Sequence, residues 1–206
     1  MVKLYYAPGS CALASHIALE EAGAAYTRER VDFKVSQQTS PEYLAINPKG
    51  RVPSLATDHG ILTETPAILA YIAQSFPKAK LAPFDDAFAF AKVQAFNSYL
   101  CSTVHVAHAH KLRGARWASE ESSFADMKRM VPKTVGACFS LIEREMFKGP
   151  WVMGEAYTVC DAYLFTLAGW LEGDSVDIAT LPKIADHRRR MAERPAVRKV
   201  LEQEKA

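Results

Sequence analysis

The feature that most constrains the fold is a change in hydrophobic periodicity near residue 80. Before it, short apolar stretches typical of strands alternate with stretches that carry apolar residues at helical spacing. The pattern predicts strands near 3–6, 26–32, 52–56 and 61–63, helices over 11–22 and 65–76, and irregular backbone over 34–50. Asp58, His59 and Gly60 are typical of a hairpin turn. The predicted order is a βαβ unit followed by a ββα unit.

After residue 80 the apolar residues recur only at helical spacing. Pro83 cannot continue a helix, so residues 81–86 are predicted to be a linker. Helices are then predicted over 87–114, 122–147, 159–172, 181–193 and 195–203. We therefore expect an α/β domain over 1–80 and an all-α domain over 87–206.

Composition limits the classes of protein to consider. Of the 206 residues, 49% are hydrophobic and 23% are charged, which is ordinary for a water-soluble globular protein. No apolar run approaches the roughly 20 residues of a membrane-spanning helix, and a signal peptide is not expected. The charge of +2 and one basic run at 187–190 do not indicate nucleic-acid binding. Cysteines at 11, 101, 138 and 160 form no CxxC pair, which favours reduced thiols and a cytoplasmic location.

Cys11 lies where the first strand gives way to the first predicted helix. Unpaired backbone N–H groups and the positive end of the helix dipole meet at such a position, so we expect the pKa of its thiol to be lowered. The sulfur would then act as a nucleophile or hold the thiol of a ligand. The alternative is that Cys11 is simply a small buried apolar residue.

Two further motifs lie at strand and helix ends. Pro53 opens a predicted strand, and a cis bond there would turn the N–H and C=O of Val52 outward to pair with an extended peptide; an ordinary trans proline is the alternative. Glu64 and Thr65 stand where a strand ends and a helix begins, with Pro66 suited to the first turn. The helix N-terminus and Thr65 suit a carboxylate, and Glu64 suits an ammonium, although both residues also fit simple capping roles.

These motifs occur in one order: YYAPGSCALASHIALEEAG, NPKGRVPSL and LTETPAILAYIA. Together they resemble the thioredoxin-like N-terminal domain of glutathione transferases, with the cysteine placed as in the bacterial beta class. The resemblance continues through 149–154 and 157–165 and so covers nearly the whole chain. It implies the glutathione transferase fold, a thioredoxin-like domain plus a helical domain. It also implies a cytoplasmic homodimer that takes glutathione as co-substrate, uses no metal, and detoxifies a small electrophilic or hydrophobic second substrate.

The resemblance also assigns roles. Cys11 and His105 would lie beside the glutathione sulfur, Val52 and Pro53 beside the cysteinyl unit, and Glu64 and Thr65 at the γ-glutamyl group. The glycine carboxylate is usually held by a lysine near position 36, where this chain has Ser36, with Lys34 two residues earlier. The expected glutathione-binding residues are Cys11, Lys34, Ser36, Arg51, Val52, Pro53, Glu64, Thr65 and His105, and the candidate catalytic residues are Cys11, His105, Ser10 and Tyr6.

Alternatives remain at several positions. Tyr5 and Tyr6 point to opposite faces of a strand, so at most one of them can face the site, as tyrosine does in other transferase classes. His105, His108 and His110 cannot easily bind one metal ion, because 110 lies on a different helix face from 108. The segment 106–117 departs from the beta-class pattern, and it should border the second-substrate pocket.

The chemistry has alternatives as well. The glutathione thiolate would attack an electrophile, or Cys11 would exchange with a disulfide or support peroxide reduction. A non-enzymatic binding protein on the same fold is the competing function.

Thr158 and Asp161 have the spacing of a capping box, which makes Asp161 a folding residue.

Overall fold

The structure is a computed structural model that describes residues 2–205. Its first part is a four-stranded sheet with helices packed against it. The elements are β1 (Val2–Tyr6), α1 (Ala12–Glu21), β2 (Tyr26–Arg30), α2 (Pro41–Ile46), β3 (Ser54–Thr57), β4 (Gly60–Thr63) and α3 (Thr65–Ser75). The strand order is β2-β1-β3-β4. β1 pairs parallel with β2 and antiparallel with β3, and β3 pairs antiparallel with β4, as βαβ and ββα units require.

The second part contains no strand among the described residues. Its helices are α4 (Ala87–Tyr99), α5 (His105–Ala109), α6 (Glu121–Leu141), α7 (Val159–Ala168), α8 (Pro182–Glu193) and α9 (Pro195–Lys205). The predicted thioredoxin-like sheet followed by a helical part is therefore confirmed. Within the described residues, no helix combines the length and the apolar character that a membrane crossing requires.

Two predictions of local structure need correction. The segment 34–50 is not irregular throughout, because α2 begins at Pro41, and the Tyr43 N–H donates to the Ser40 hydroxyl 3.3 Å away. Serine at the N-cap followed by proline at N1 is a helix-start signal. The predicted helix over 87–114 is also not continuous. A π-helical turn, Leu100–Val104, joins α4 to α5, with the His105 N–H bonded to the Leu100 carbonyl.

The core runs through both parts of the molecule. Every residue of α7 and residues 12–19 of α1 are buried, because each of these helices packs on more than one side. Leu4 and Leu55 of the sheet belong to the same apolar cluster as Leu164 of α7. The ends of the sheet therefore hold a fixed position against the helical part.

Residues of α9 also bind α1 directly. The fully buried ring of His16 has Nδ1 3.0 Å from Glu204 and Nε2 3.0 Å from the side-chain oxygen of Gln203. Arg28 donates to the Tyr6 hydroxyl at 2.8 Å and to the Gln203 carbonyl at 2.7 Å. These contacts tie the C-terminal part of α9 to the sheet beside β1.

The start of α7 has the predicted capping box. Thr158 accepts from the Cys160 N–H, and Asp161 accepts from the Thr158 N–H at 2.8 Å. Asp161 is fully buried and also accepts from the Val152 N–H at 2.8 Å, with His187 Nε2 3.0 Å away. Asp161 is therefore a structural carboxylate that joins α7, α8 and the preceding loop.

Candidate active site

A cavity of about 730 Å³ lies between the strand and helix ends of the first part and the helices of the second. Most of the predicted glutathione-binding residues meet there. Those that line it are Cys11, Arg51, Val52, Pro53, Glu64, Thr65 and His105. Ser10, one of the candidate catalytic residues, also lines it.

Cys11 is the N-cap residue of α1, but the pKa of its thiol is not lowered as expected. Burial raises this pKa to about 11, and a hydrogen bond with Thr65 opposes the rise only in part. The first-turn N–H groups of Ala12 and Leu13 already donate to Ser10, to its hydroxyl at 3.3 Å and its carbonyl at 3.1 Å. Because burial outweighs the hydrogen bonds from Thr65 and from the Cys11 N–H, the sulfur stays protonated, and it donates to the Val52 carbonyl at 3.4 Å.

Val52 and Pro53 form the second part of the site. The Val52–Pro53 bond is cis, and Val52 is 8% exposed. Among the described residues, the Val52 N–H donates to no protein acceptor, while its carbonyl accepts from Cys11. Asn47 and Tyr43 fix this loop by donating to the Arg51 carbonyl at 2.7 and 2.8 Å. The loop thus presents one backbone donor to the cavity on a rigid support.

Glu64 and Thr65 form the third part, at the start of α3. Glu64 has φ 75°, a conformation that a residue with a side chain adopts at a cost of about 1–3 kcal/mol. Its carboxylate does not cap α3 but lies 2.6 Å from Lys49 Nζ. Thr65 is buried at the cavity wall. An uncapped helix N-terminus beside a carboxylate provides donors for an anion and an acceptor for a cation.

His105 is a neutral group at the cavity. Burial lowers the pKa of its imidazole to about 4, and the nearby charges of His108, Arg116 and Arg51 add to the effect. Neutral imidazole donates one hydrogen bond and carries no charge at pH 7.

Three of the predicted site residues do not line the cavity. The Tyr6 hydroxyl accepts from Arg28 and its ring lies 5.5 Å from that of His16, so Tyr6 belongs to the contact between the sheet and α9. Lys34 and Ser36 are exposed in the turns before α2, outside the cavity. The Ser10 hydroxyl, although it lines the cavity, donates to the Ala7 carbonyl at 2.6 Å and supports the loop.

Several cavity residues were not predicted as site residues. Trp170 Nε1 donates to the Gly9 carbonyl at 3.0 Å, while the Gly9 N–H donates to Glu204 at 3.2 Å. The peptide groups on both sides of Gly9 are thus held by residues from the helical part. Other unpredicted residues that line the cavity include Cys101, Arg113, Arg116 and Tyr163. Arg113 and Arg116 belong to the segment 106–117, which was expected to border the second-substrate pocket, but no local signal marks Cys101 or Tyr163.

The three clustered histidines have separate environments. His108 Nδ1 lies 2.6 Å from the buried Asp174, and its ring stacks on Trp170 with centroids 4.2 Å apart. The His110 ring lies 4.5 Å from that of Trp117. Over residues 2–205, no group of three or more His, Cys, Asp or Glu side chains is placed to hold a metal ion.

Comparisons with known proteins agree with this geometry. The glutathione S-transferase N-terminal domain family matches residues 1–74. The chain is 34% identical to glutathione S-transferase GstA of Escherichia coli O157:H7 over 98% of both sequences. A crystal structure of a glutathione transferase homologue from Sulfitobacter, with bound glutathione, is 48% identical, covers 98% of both chains and has a TM-score of 0.96. The bacterial beta class enzyme of Sphingomonas chungbukensis is 34% identical over 98% of both chains, with a TM-score of 0.85.

A thioredoxin-like sheet, an apposed helical part and a cysteine-bearing cleft between them define a glutathione-dependent class of enzyme. The chain belongs to the glutathione S-transferase family. It is therefore a transferase, and the competing idea of a non-enzymatic binding protein is not favoured.

Proposed function

We propose that this enzyme binds reduced glutathione along the cavity edge formed by Cys11, Val52, Glu64 and Thr65 and transfers it to a small electrophile. The observation that carries the proposal is the convergence of these four residues, from three separate motifs, on one cavity. The Sulfitobacter relative was solved with glutathione bound, which supports the choice of ligand. The carboxylate of the γ-glutamyl group would accept hydrogen bonds from the N-terminus of α3 and from the Thr65 hydroxyl. The ammonium of the same group would donate to Glu64.

The cysteinyl unit would pair with Val52, whose N–H has no protein acceptor among the described residues. Its sulfur would then lie beside Cys11, as the beta-class resemblance implies. Because the Cys11 thiol is protonated, we assign it the role of hydrogen-bond donor to the glutathione thiolate. The S–H turns from the Val52 carbonyl to this sulfur when glutathione binds.

The transfer step follows from these positions. The glutathione thiol loses its proton to solvent, because His105, with a pKa of about 4, is too weak a base to hold it at pH 7. The thiolate attacks the electrophilic carbon, a sulfur–carbon bond forms, and the leaving group departs with its electron pair. The Cys11 thiol and the neutral His105 N–H stabilise the thiolate by hydrogen bonds.

Exchange at Cys11 is the second candidate chemistry. A thiolate, not a thiol, attacks a disulfide, so a raised pKa favours conjugation over an attack by Cys11 itself. Peroxide reduction through glutathione would use the same bound thiolate, so the turnover test below includes a peroxide.

The wider setting is also proposed. Residues 1–80 would form the glutathione-binding domain, 81–86 the linker and 87–206 the domain that borders the second substrate. A homodimer is supported by exposed aromatic rings at Phe84 and Phe88, which are 40% and 73% exposed near the start of α4. Four free cysteines support a reducing, cytoplasmic setting. Detoxification is proposed because it is what conjugation of electrophiles to glutathione would achieve.

The test begins with calorimetry of glutathione binding to the wild-type protein at millimolar ligand. Glu64→Gln and Thr65→Val should each weaken binding by about tenfold, since each removes a contact to a charged group. Val35→Ala, at an exposed residue outside the cavity, is the matched control and should bind as the wild type does. No heat from the wild-type protein would refute the proposal.

Turnover is then measured with a halonitroaromatic compound, a peroxide and a mixed disulfide. Cys11→Ala should retain glutathione binding and lose most conjugation, because the donor to the thiolate is missing. Incubation with glutathione disulfide, followed by intact mass, should give an adduct in Cys101→Ala but not in Cys11→Ala. An adduct in Cys11→Ala would place the exchange chemistry on another cysteine.

A further inference from the structure

We propose that the second substrate carries a carboxylate or a similar oxyanion on an aromatic or apolar body, and that Arg113 and Arg116 bind the anionic group. The inference rests on the proposed glutathione site and names the substrate class for the remainder of the same cavity.

The first observation is a set of cations without counter-ions. Arg51, Arg113 and Arg116 line the cavity, and within residues 2–205 none of their guanidinium groups forms an ion pair. Glu64 is the one carboxylate among the described residues of the cavity wall, and Lys49 already pairs with it. By contrast, the three consecutive arginines of α8, residues 188–190, all pair with carboxylates.

The second observation is that these cations act on one another. Burial lowers the pKa of the Arg116 guanidinium, and the charges of Arg51 and Arg113 lower it further. Arg116 and Arg51 also help to keep His105 neutral. All three side chains are exposed, so water and salt screen this repulsion in part, and an anion bound among the groups would relieve what remains of it.

The third observation is the position of each arginine in the chain, which assigns one of them to glutathione and two to the second substrate. Arg51 directly precedes Val52 and so lies on the side of the proposed glutathione site. We assign it to the glycine carboxylate, in place of the predicted Lys34 and Ser36. Arg113 and Arg116 come from the helical part, in the segment 106–117 that we expect to border the second substrate, although Arg51 is near enough to act on Arg116. They are therefore left for a second ligand.

The surroundings of these two arginines define the body of that ligand. Leu112 and Trp117 are 78% and 45% exposed at the cavity wall, and Trp170 lines the same space. Guanidinium groups bind carboxylates in a planar, two-bond arrangement, and indole rings hold flat apolar groups. An electrophile with both features would fill the site. A purely apolar one would leave Arg116 to solvent and Arg113 to its contact with the Phe33 ring, 6.0 Å from the guanidinium carbon.

The test compares two electrophiles of the same reaction class, 1-chloro-2,4-dinitrobenzene and 4-chloro-3,5-dinitrobenzoate. The readout is the ratio of kcat/KM for the carboxylated compound to kcat/KM for the neutral one. Replacing both Arg113 and Arg116 with Gln should lower this ratio on the order of tenfold, as expected for loss of charge-assisted hydrogen bonds. Added salt should lower the wild-type ratio as well. Arg129→Gln, on the outer surface of α6, is the matched control and should leave the ratio unchanged.

Calorimetry covers the case of slow turnover. The glutathione-saturated enzyme should bind 3,5-dinitrobenzoate more tightly than 1,3-dinitrobenzene, and the double variant should lose the difference. An unchanged ratio, or equal binding of the two compounds, would overturn the inference while the proposed function stands. A double variant that loses glutathione affinity without a change in the ratio would also overturn it, since the arginines would then serve the glycine carboxylate. Failure of the wild-type enzyme to bind glutathione would instead refute the proposed function and, with it, this inference.

Discussion

Replacement of Asp161 by Ala should be among the most destabilising single changes in this protein. The carboxylate is fully buried and serves two backbone N–H groups, those of Val152 and Thr158, each 2.8 Å away. It also lies 3.0 Å from Nε2 of the fully buried His187. Each buried donor left without an acceptor costs about 1–3 kcal/mol. Because these three groups and the Thr158 hydroxyl, 3.4 Å away, share one carboxylate and their losses are not additive, we expect a total of about 3–5 kcal/mol.

The measurement is urea denaturation at pH 7 followed by circular dichroism, with Thr158→Ala as the reference variant. That variant loses the hydroxyl that accepts from the Cys160 N–H and donates weakly to Asp161 at 3.4 Å, and it should cost about 1 kcal/mol. The midpoint of thermal unfolding should fall by roughly 10 °C in Asp161→Ala, since 1 kcal/mol shifts it by about 2–4 °C in a protein of this size. Asp161→Asn keeps one carbonyl oxygen, so its loss of stability should lie between those of Asp161→Ala and Thr158→Ala. If Asp161→Ala costs no more than Thr158→Ala, the account of the buried carboxylate is wrong.

Three further predictions follow from the site. The first concerns alkylation of Cys11 by iodoacetamide without glutathione, measured by intact mass in a Cys101→Ala background. Because the pKa of Cys11 is about 11, the rate should rise about tenfold per pH unit from pH 7 to 10. A plateau in the rate below pH 9 would contradict this. His105 binds a proton more weakly in the folded protein, pKa about 4, than in the unfolded chain, 6.5, so its contribution to stability is lost as pH falls from 6.5 towards 4. In urea denaturation, the free energy of unfolding of His105→Gln should therefore fall less between pH 7 and 5 than that of the wild type. An equal fall in both proteins would contradict the lowered pKa of His105. Glu64→Gly should be more stable than Glu64→Ala by about 1 kcal/mol, because glycine adopts φ 75° without strain; equal stability would mean that Glu64 stores no strain.

The sequence predicts regular elements well where local patterns decide them. The strands near Leu4 and Leu55 and the helix after Cys11 follow from apolar spacing that packing then reinforces. The helix at Pro41 was not predicted, although Ser40 and Pro41 form a helix-start signal. It has only six residues, too few for hydrophobic periodicity to be seen.

The chemistry of the site was predicted less completely. Position at a helix start indicated a low pKa for Cys11, but burial of the sulfur raises the pKa instead, and Ser10 already accepts from two of the N–H groups at the helix start. Whether a nearby hydroxyl occupies these donors depends on loop geometry that periodicity does not encode. The partners of Gly9 lie 161 and 195 residues away along the chain, so no local pattern indicates Trp170 or Glu204.

The attachment of α9 to His16 has a consequence for biosynthesis. The two side chains that bind the His16 ring are translated 187 and 188 residues after it. A nascent chain that has released only the sheet from the ribosome holds an imidazole whose native partners do not yet exist. The first-made part of the molecule therefore reaches its final packing only when α9 emerges and docks, which makes completion of the catalytic cleft a late step of folding.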